Sequence, residues 1–166
     1  MKIARFCFPA ALGALLLVAC SGEEQAKAPA AYDLRFPSLD VAVASQTIEV
    51  FVFDPLAKEN RICDELLVKR RSGQDLGQAI GRMPPAAICD VLSGNSEPVD
   101  VGYGTWAFLA VVQESSTDYL LGCALANVGP GSAKPVISLS YAAATAPQAP
   151  VTTCLDLGQK CKGTCQ

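Results

Sequence analysis

The sequence predicts a mainly β protein: an antiparallel β-sandwich with one short helical insertion and a disulfide-rich C-terminal tail. Three observations predict it. Two stretches, 47–53 and 105–113, are rich in β-branched and aromatic residues with strand alternation. One stretch, 62–71, has helical spacing and ends before Gly73. Three cysteines, Cys154, Cys161 and Cys165, crowd the last residues of the chain.

Taken in order, 39–44 is an apolar run that leads, across Ser45 and Gln46, into the strongest strand, 47–53. There Ile48, Val50 and Val52 fall on one face. The helical candidate follows at 62–71. Asn60 stands where a cap belongs, Ile62 and Leu66 share a face, and Lys69, Arg70 and Arg71 close the last turn. Pro84 and Pro85 stop any continuation, and 88–92 reads as a resumed strand. In 105–113, Trp106, Phe108, Ala110 and Val112 alternate with Thr105, Ala107, Leu109 and Val111. Both faces are apolar, which places this strand at the centre of a sheet. A polar turn at 114–118 leads into 119–128, and Gly129-Pro130-Gly131-Ser132 turns the chain into 136–141. Three strands joined by short polar turns predict an antiparallel meander. Strands at this spacing, with one helical insertion, point to a sandwich.

The N-terminus carries a different message. Lys2 and Arg5 precede an uncharged, mostly apolar run from Phe6 to Ala19. A positive start, a short apolar run and small residues at its end mark a secretory leader. The run is shorter than the roughly 20 apolar residues that a membrane span needs. The ending Leu17-Val18-Ala19-Cys20 resembles the lipobox of bacterial lipoproteins. That resemblance implies cleavage before Cys20, lipid on Cys20 and lasting membrane attachment, since two or more acyl chains anchor stably. Ser21 in place of Asp implies, by the same likeness, passage to the outer membrane. Glu23-Glu24 resembles the acidic tether signals of surface-facing lipoproteins, so both the periplasmic and the outer side stay open. The expected division is a leader at 1–19, a lipidated tether at 20–35, a β-domain at 36–142, a linker at 143–153 and a Cys-rich tail at 154–166.

Charge and cysteine content limit the partners. Lys2 and Arg5 leave with the leader, so 11 of the 13 basic residues remain against 16 acidic ones, a balance of −5. Such a surface excludes nucleic acid, which needs a basic footprint. Cys63, Cys89 and Cys123 lie in the body and Cys154, Cys161 and Cys165 in the tail. An even set in an exported chain implies disulfides, with several connectivities open. Parity adds a constraint: if all six pair within the chain, an odd number of bridges must join tail to body. Cys63 shares a helical face with Leu67, and Cys123 alternates in phase with Leu121 and Leu125. Both point inward, which favours Cys63 with Cys123, Cys89 with the tail, and the remaining tail pair together.

The chain has no histidine. Serine and cysteine nucleophiles activated by imidazole are therefore excluded, as are zinc sites built on it. No phosphate-cradling loop is present, because Gly102-Tyr103-Gly104 lacks the later glycine. Asp54, Asp64, Glu65, Asp90 and Asp100 offer carboxylates, but no loop has the spacing of a calcium site. Strand-end and helix-first-turn roles account for them. No cofactor or metal site is predicted. Lys69, Arg70, Arg71 and Arg82 form the one basic cluster, able to grip an acidic polymer or simply to close a helix. Tyr103 is the candidate for a sugar-stacking surface, while Trp106 lies in the most apolar strand and is expected in the core. The segment from Val101 to Phe108 is similar to the glycine-then-aromatic strand entry of transthyretin-like and fibronectin-like sandwiches in exported proteins.

The expected function is that of a non-catalytic envelope lipoprotein, not an enzyme, held on the membrane through Cys20. Its domain would bind another envelope protein or glycan, or serve structurally. The alternative is a small carbohydrate-binding or carboxylate-based hydrolytic domain using the exposed acids and Tyr103.

Overall fold

The computed structural model describes residues 27–56, 61–143 and 153–165. The leader, Cys20, Asn60 and residues 144–152 of the linker lie outside these. In chain order the elements are β1 (Lys27–Ala30), β2 (Asp33–Arg35), α1 (Leu39–Ala44), β3 (Thr47–Phe53), α2 (Ile62–Arg71), β4 (Gly81–Ala87) and α3 (Ile88–Leu92). They continue with β5 (Val99–Gly102), β6 (Gly104–Glu114), β7 (Thr117–Val128), β8 (Val136–Ser138), β9 (Ser140–Tyr141) and α4 (Leu157–Lys162).

A five-stranded sheet in the order β4-β3-β6-β7-β9 organises the molecule, and every pairing in it is antiparallel. β6 lies at its centre because it is apolar on both faces. Phe108, Ala110 and Val112 join Ile48, Val50 and Val52 in one core. Ala107, Leu109 and Val111 join Phe53, Leu121 and Leu66 in the other. The β6–β7 hairpin closes through Ser115 and Ser116, whose φ values of 49° and 65° are those of a type I′ turn. That turn's twist matches the twist of its strands.

The two faces are covered differently. α2 packs over one, delivering the buried Leu66 and the part-buried Ile62 and Leu67. Over the other lie α1 and two short ladders, antiparallel β1–β5 and parallel β2–β8. This second layer is two separate two-stranded pieces and not a continuous sheet. β8 crosses directly above β7 at Gly122. A Cβ there would stand 2.5 Å from the Ser138 carbonyl oxygen and 2.9 Å from Ile137 Cγ2. Only a residue without a side chain permits that approach.

Five expectations change. Residues 39–44 are helical: the Ser38 hydroxyl caps α1 by accepting the Val41 N–H at 3.3 Å, and a capped start overrides the apolar-run reading. Residues 88–92 form α3, an apolar run too short for its periodicity to separate helix from strand. Pro84 and Pro85 belong to β4, an edge strand, where together they face Glu49 across a bulge between the pairs Ile48–Ala86 and Val50–Met83. An edge bulge needs no ladder N–H from either proline. Residues 27–35, expected within the tether, form β1 and β2, because Tyr32 and Leu34 pack against the core. The stretch 136–141 also divides. β8 leaves for the second layer and β9 returns beside β7, with the buried Leu139 between them donating its N–H to the Arg35 carbonyl at 2.8 Å.

Candidate binding cleft

The basic cluster is engaged inside the domain. Arg70 grips Asp118 with two nitrogens, Nε–Oδ2 at 2.5 Å and the second contact at 2.9 Å. Gln113 Nε2 donates to the same carboxylate at 3.2 Å. Burial alone would raise the Asp118 carboxyl, but the Arg70 and Gln113 hydrogen bonds and the Arg70 charge hold it below its ordinary value. The Asp118 hydrogen bond in turn raises the Arg70 guanidinium. Arg82 pairs with the buried Glu49 and lies 5.3 Å over the Phe51 ring. Arg71 reaches the Ser140 hydroxyl at 3.5 Å, and Lys69 is part-exposed in the last turn of α2. Two of the four cations are thus tied to carboxylates: Arg70–Asp118 fastens α2 to β7, and Arg82–Glu49 links the neighbouring strands β4 and β3.

The aromatic candidates take different surroundings. Tyr103 is exposed between β5 and β6. Trp106 is half-buried against the core, and its indole N–H donates to the Gly102 carbonyl at 2.7 Å. The acids are dispersed in turn and cap roles. Asp54 Oδ1 accepts the Leu56 N–H at 2.8 Å, Asp64 and Glu65 occupy the first turn of α2, Asp90 that of α3, and Asp100 is exposed on β5. Among the described residues no three Cys, Asp or Glu side chains gather closely enough to hold a metal ion.

Three disulfides organise the rest. Cys63–Cys123 fastens α2 to β7, Cys89–Cys161 fastens α4 to α3, and Cys154–Cys165 closes the tail on itself. The tail gains a second attachment beside its bridge. The Lys160 ammonium donates to the Val43 carbonyl at 2.5 Å and to that of Ser45. These are C-terminal carbonyls of α1 that no turn of its own helix can satisfy. Burial lowers the Lys160 pKa.

An open cleft lies elsewhere. A cleft of about 530 Å³ forms where the β1–β5 ladder ends at the Ala30–Val99 pair and the two chains diverge. Residues 31–34 form one wall, residues 91–94 and 96–98 the other, and Lys134 contributes from the approach to β8. Side chains along a strand alternate between faces. Asp33 and Leu34, consecutive on β2 and so directed to opposite faces, both line the cleft, as they do when the strand's edge is turned to it. The bonding of β2 agrees. The Asp33 N–H donates to Pro135 O at 2.9 Å and the Arg35 carbonyl accepts from Leu139 at 2.8 Å. In a parallel ladder bonding alternates along the strand, so the N–H and C=O of Leu34 point away from β8. Tyr32 secures this wall, its hydroxyl 2.9 Å from Met83 Sδ, and burial pushes its pKa up to about 12. Asp33 and Glu97 are exposed on the lining, and Leu92 is an exposed apolar side chain at its rim.

Sequence reasoning singled out none of the cleft residues. The signal available was the turn-rich run from Ser93 to Pro98, which marks a loop but not its opposite wall. No family model matches this chain, and neither a curated protein nor a solved structure matches it.

Proposed function

We propose that the chain is a lipid-anchored protein of the bacterial cell envelope, placed at the outer membrane through Cys20, whose β-domain is a non-catalytic module that binds a partner. The observation that carries this reading is that all six cysteines beyond Cys20 are paired within the chain. Such bridges persist in oxidising compartments and are rare where thiols are kept reduced. The leader and the Leu17-Val18-Ala19-Cys20 ending supply the route and the anchor. Carboxylates spread over turns and helix starts, together with an open cleft, favour binding over hydrolysis. In this reading the two ladders act as the second layer of a β-sandwich, sharing the Ile48–Phe108 core with the main sheet.

The test is metabolic labelling with palmitate. The full chain should incorporate label and partition into detergent, and Cys20→Ser should do neither. Equal labelling and processing of both forms would overturn the anchor.

A further inference from the structure

Resting on the partner-binding reading, we infer that the cleft beside β2 receives an extended, basic segment of a partner protein, which adds a strand to the free edge of β2. A backbone is the occupant with the matching chemistry. The Leu34 N–H and C=O face away from β8, and an added strand offers a carbonyl and an N–H at the same spacing. The opposite wall does not provide them, because residues 93–98 form no ladder with β2. The chain's own strands diverge at Ala30 and Val99, which leaves a fork open to an incoming segment. A volume of about 530 Å³ lies within the roughly 300–1,000 Å³ of ordinary ligand clefts.

Charge sets the character of the segment. Asp33 and Glu97 face the cleft against a single cation, Lys134, so the lining is net negative and favours basic side chains. Leu92, 43% exposed, gives an apolar side chain of the same segment a surface to cover. Alternating basic and apolar residues therefore fit best.

The experiment uses the full, oxidised chain in detergent and a fluorescent hexapeptide of alternating lysine and valine. Saturable binding is expected, with protection of the Leu34 amide in hydrogen exchange. Methylating the backbone nitrogens of one alternate set, lysines or valines, should weaken binding by at least about tenfold, since only one set points its N–H at β2. Glu97→Gln with Asp33→Asn should weaken it by several-fold without changing the unfolding midpoint. No saturation at millimolar peptide, or equal binding of both methylated forms, would overturn the inference. A chain that sediments as a dimer, with the dimer dissolved by Leu92→Asp, would give the cleft to a second copy and overturn the partner segment. Palmitate labelling is read in parallel: intact labelling with failed peptide binding condemns the strand-edge site alone, and lost labelling condemns the anchor alone.

Discussion

Asp118, read in the sequence as part of the turn at 114–118, stands on β7 two residues past the hairpin turn and across from Gln113. Its carboxylate receives Arg70 from a helix 48 residues earlier, so the contact is invisible to local pattern. Because the folded pKa lies below the unfolded one, the pair stabilises the fold above about pH 4. That contribution is lost as pH falls through the depressed folded value. Asp118→Asn should cost about 1–2 kcal/mol near neutrality, a modest figure because both partners are partly solvated. In urea titrations the gap between variant and parent should close below pH 4; a gap that stays constant would show that the carboxylate charge is not what matters. Gly122 poses a steric test at the same scale. A methyl group there meets the Ser138 carbonyl oxygen at 2.5 Å, and Gly122→Ala should destabilise by about 1–3 kcal/mol through overpacking. An unchanged denaturation midpoint would mean that β8 can lift away at no cost.

Among the helices of the described residues, α4 alone has no buried residue. Apolar burial therefore cannot dock it, and the Cys89–Cys161 bridge and Lys160 must. Cys89→Ser with Cys161→Ser should let trypsin cut after Lys160 and Lys162 while the five-stranded sheet keeps its cooperative unfolding. The bridge itself should contribute roughly 2–4 kcal/mol. A tail that resists trypsin in the double variant would assign the docking to contacts other than these. The elements also show where sequence signals run out. β3 and β6 were legible because alternation over many residues is a strong signal, and α2 because its spacing, closing glycine and terminal cations agree. α1 and α3 were not, since five or six residues give too little period to separate helix from strand. β1 and β2 escaped because three- and four-residue strands rest on partners, β5 and β8, that lie far away in sequence.

For the whole molecule, the same distance rule explains why the cleft was illegible. Its walls come from 31–34, 91–94, 96–98 and Lys134, mixed polar and apolar residues whose meeting depends on how two ladders diverge. Cysteine phase and parity carried more, because a bridge requires only that two side chains point into the same space. The order of those bridges along the chain has a kinetic meaning. Cys63 pairs beyond Cys89, with Cys123, and Cys89 pairs beyond Cys123, with Cys161, so the two covalent loops overlap without nesting. If the chain is exported as proposed, threading through a translocon N-terminus first presents Cys63 and Cys89 to an oxidant before Cys123 has emerged. Hasty oxidation then joins the wrong neighbours, and reaching the native set requires thiol–disulfide exchange, a process of minutes to hours without help. Yield in an exporting host should therefore depend on a disulfide isomerase far more than on the oxidase. Cells lacking the isomerase should accumulate a Cys63–Cys89 species on non-reducing maps, and full yield without it would show that the chain folds before it is oxidised.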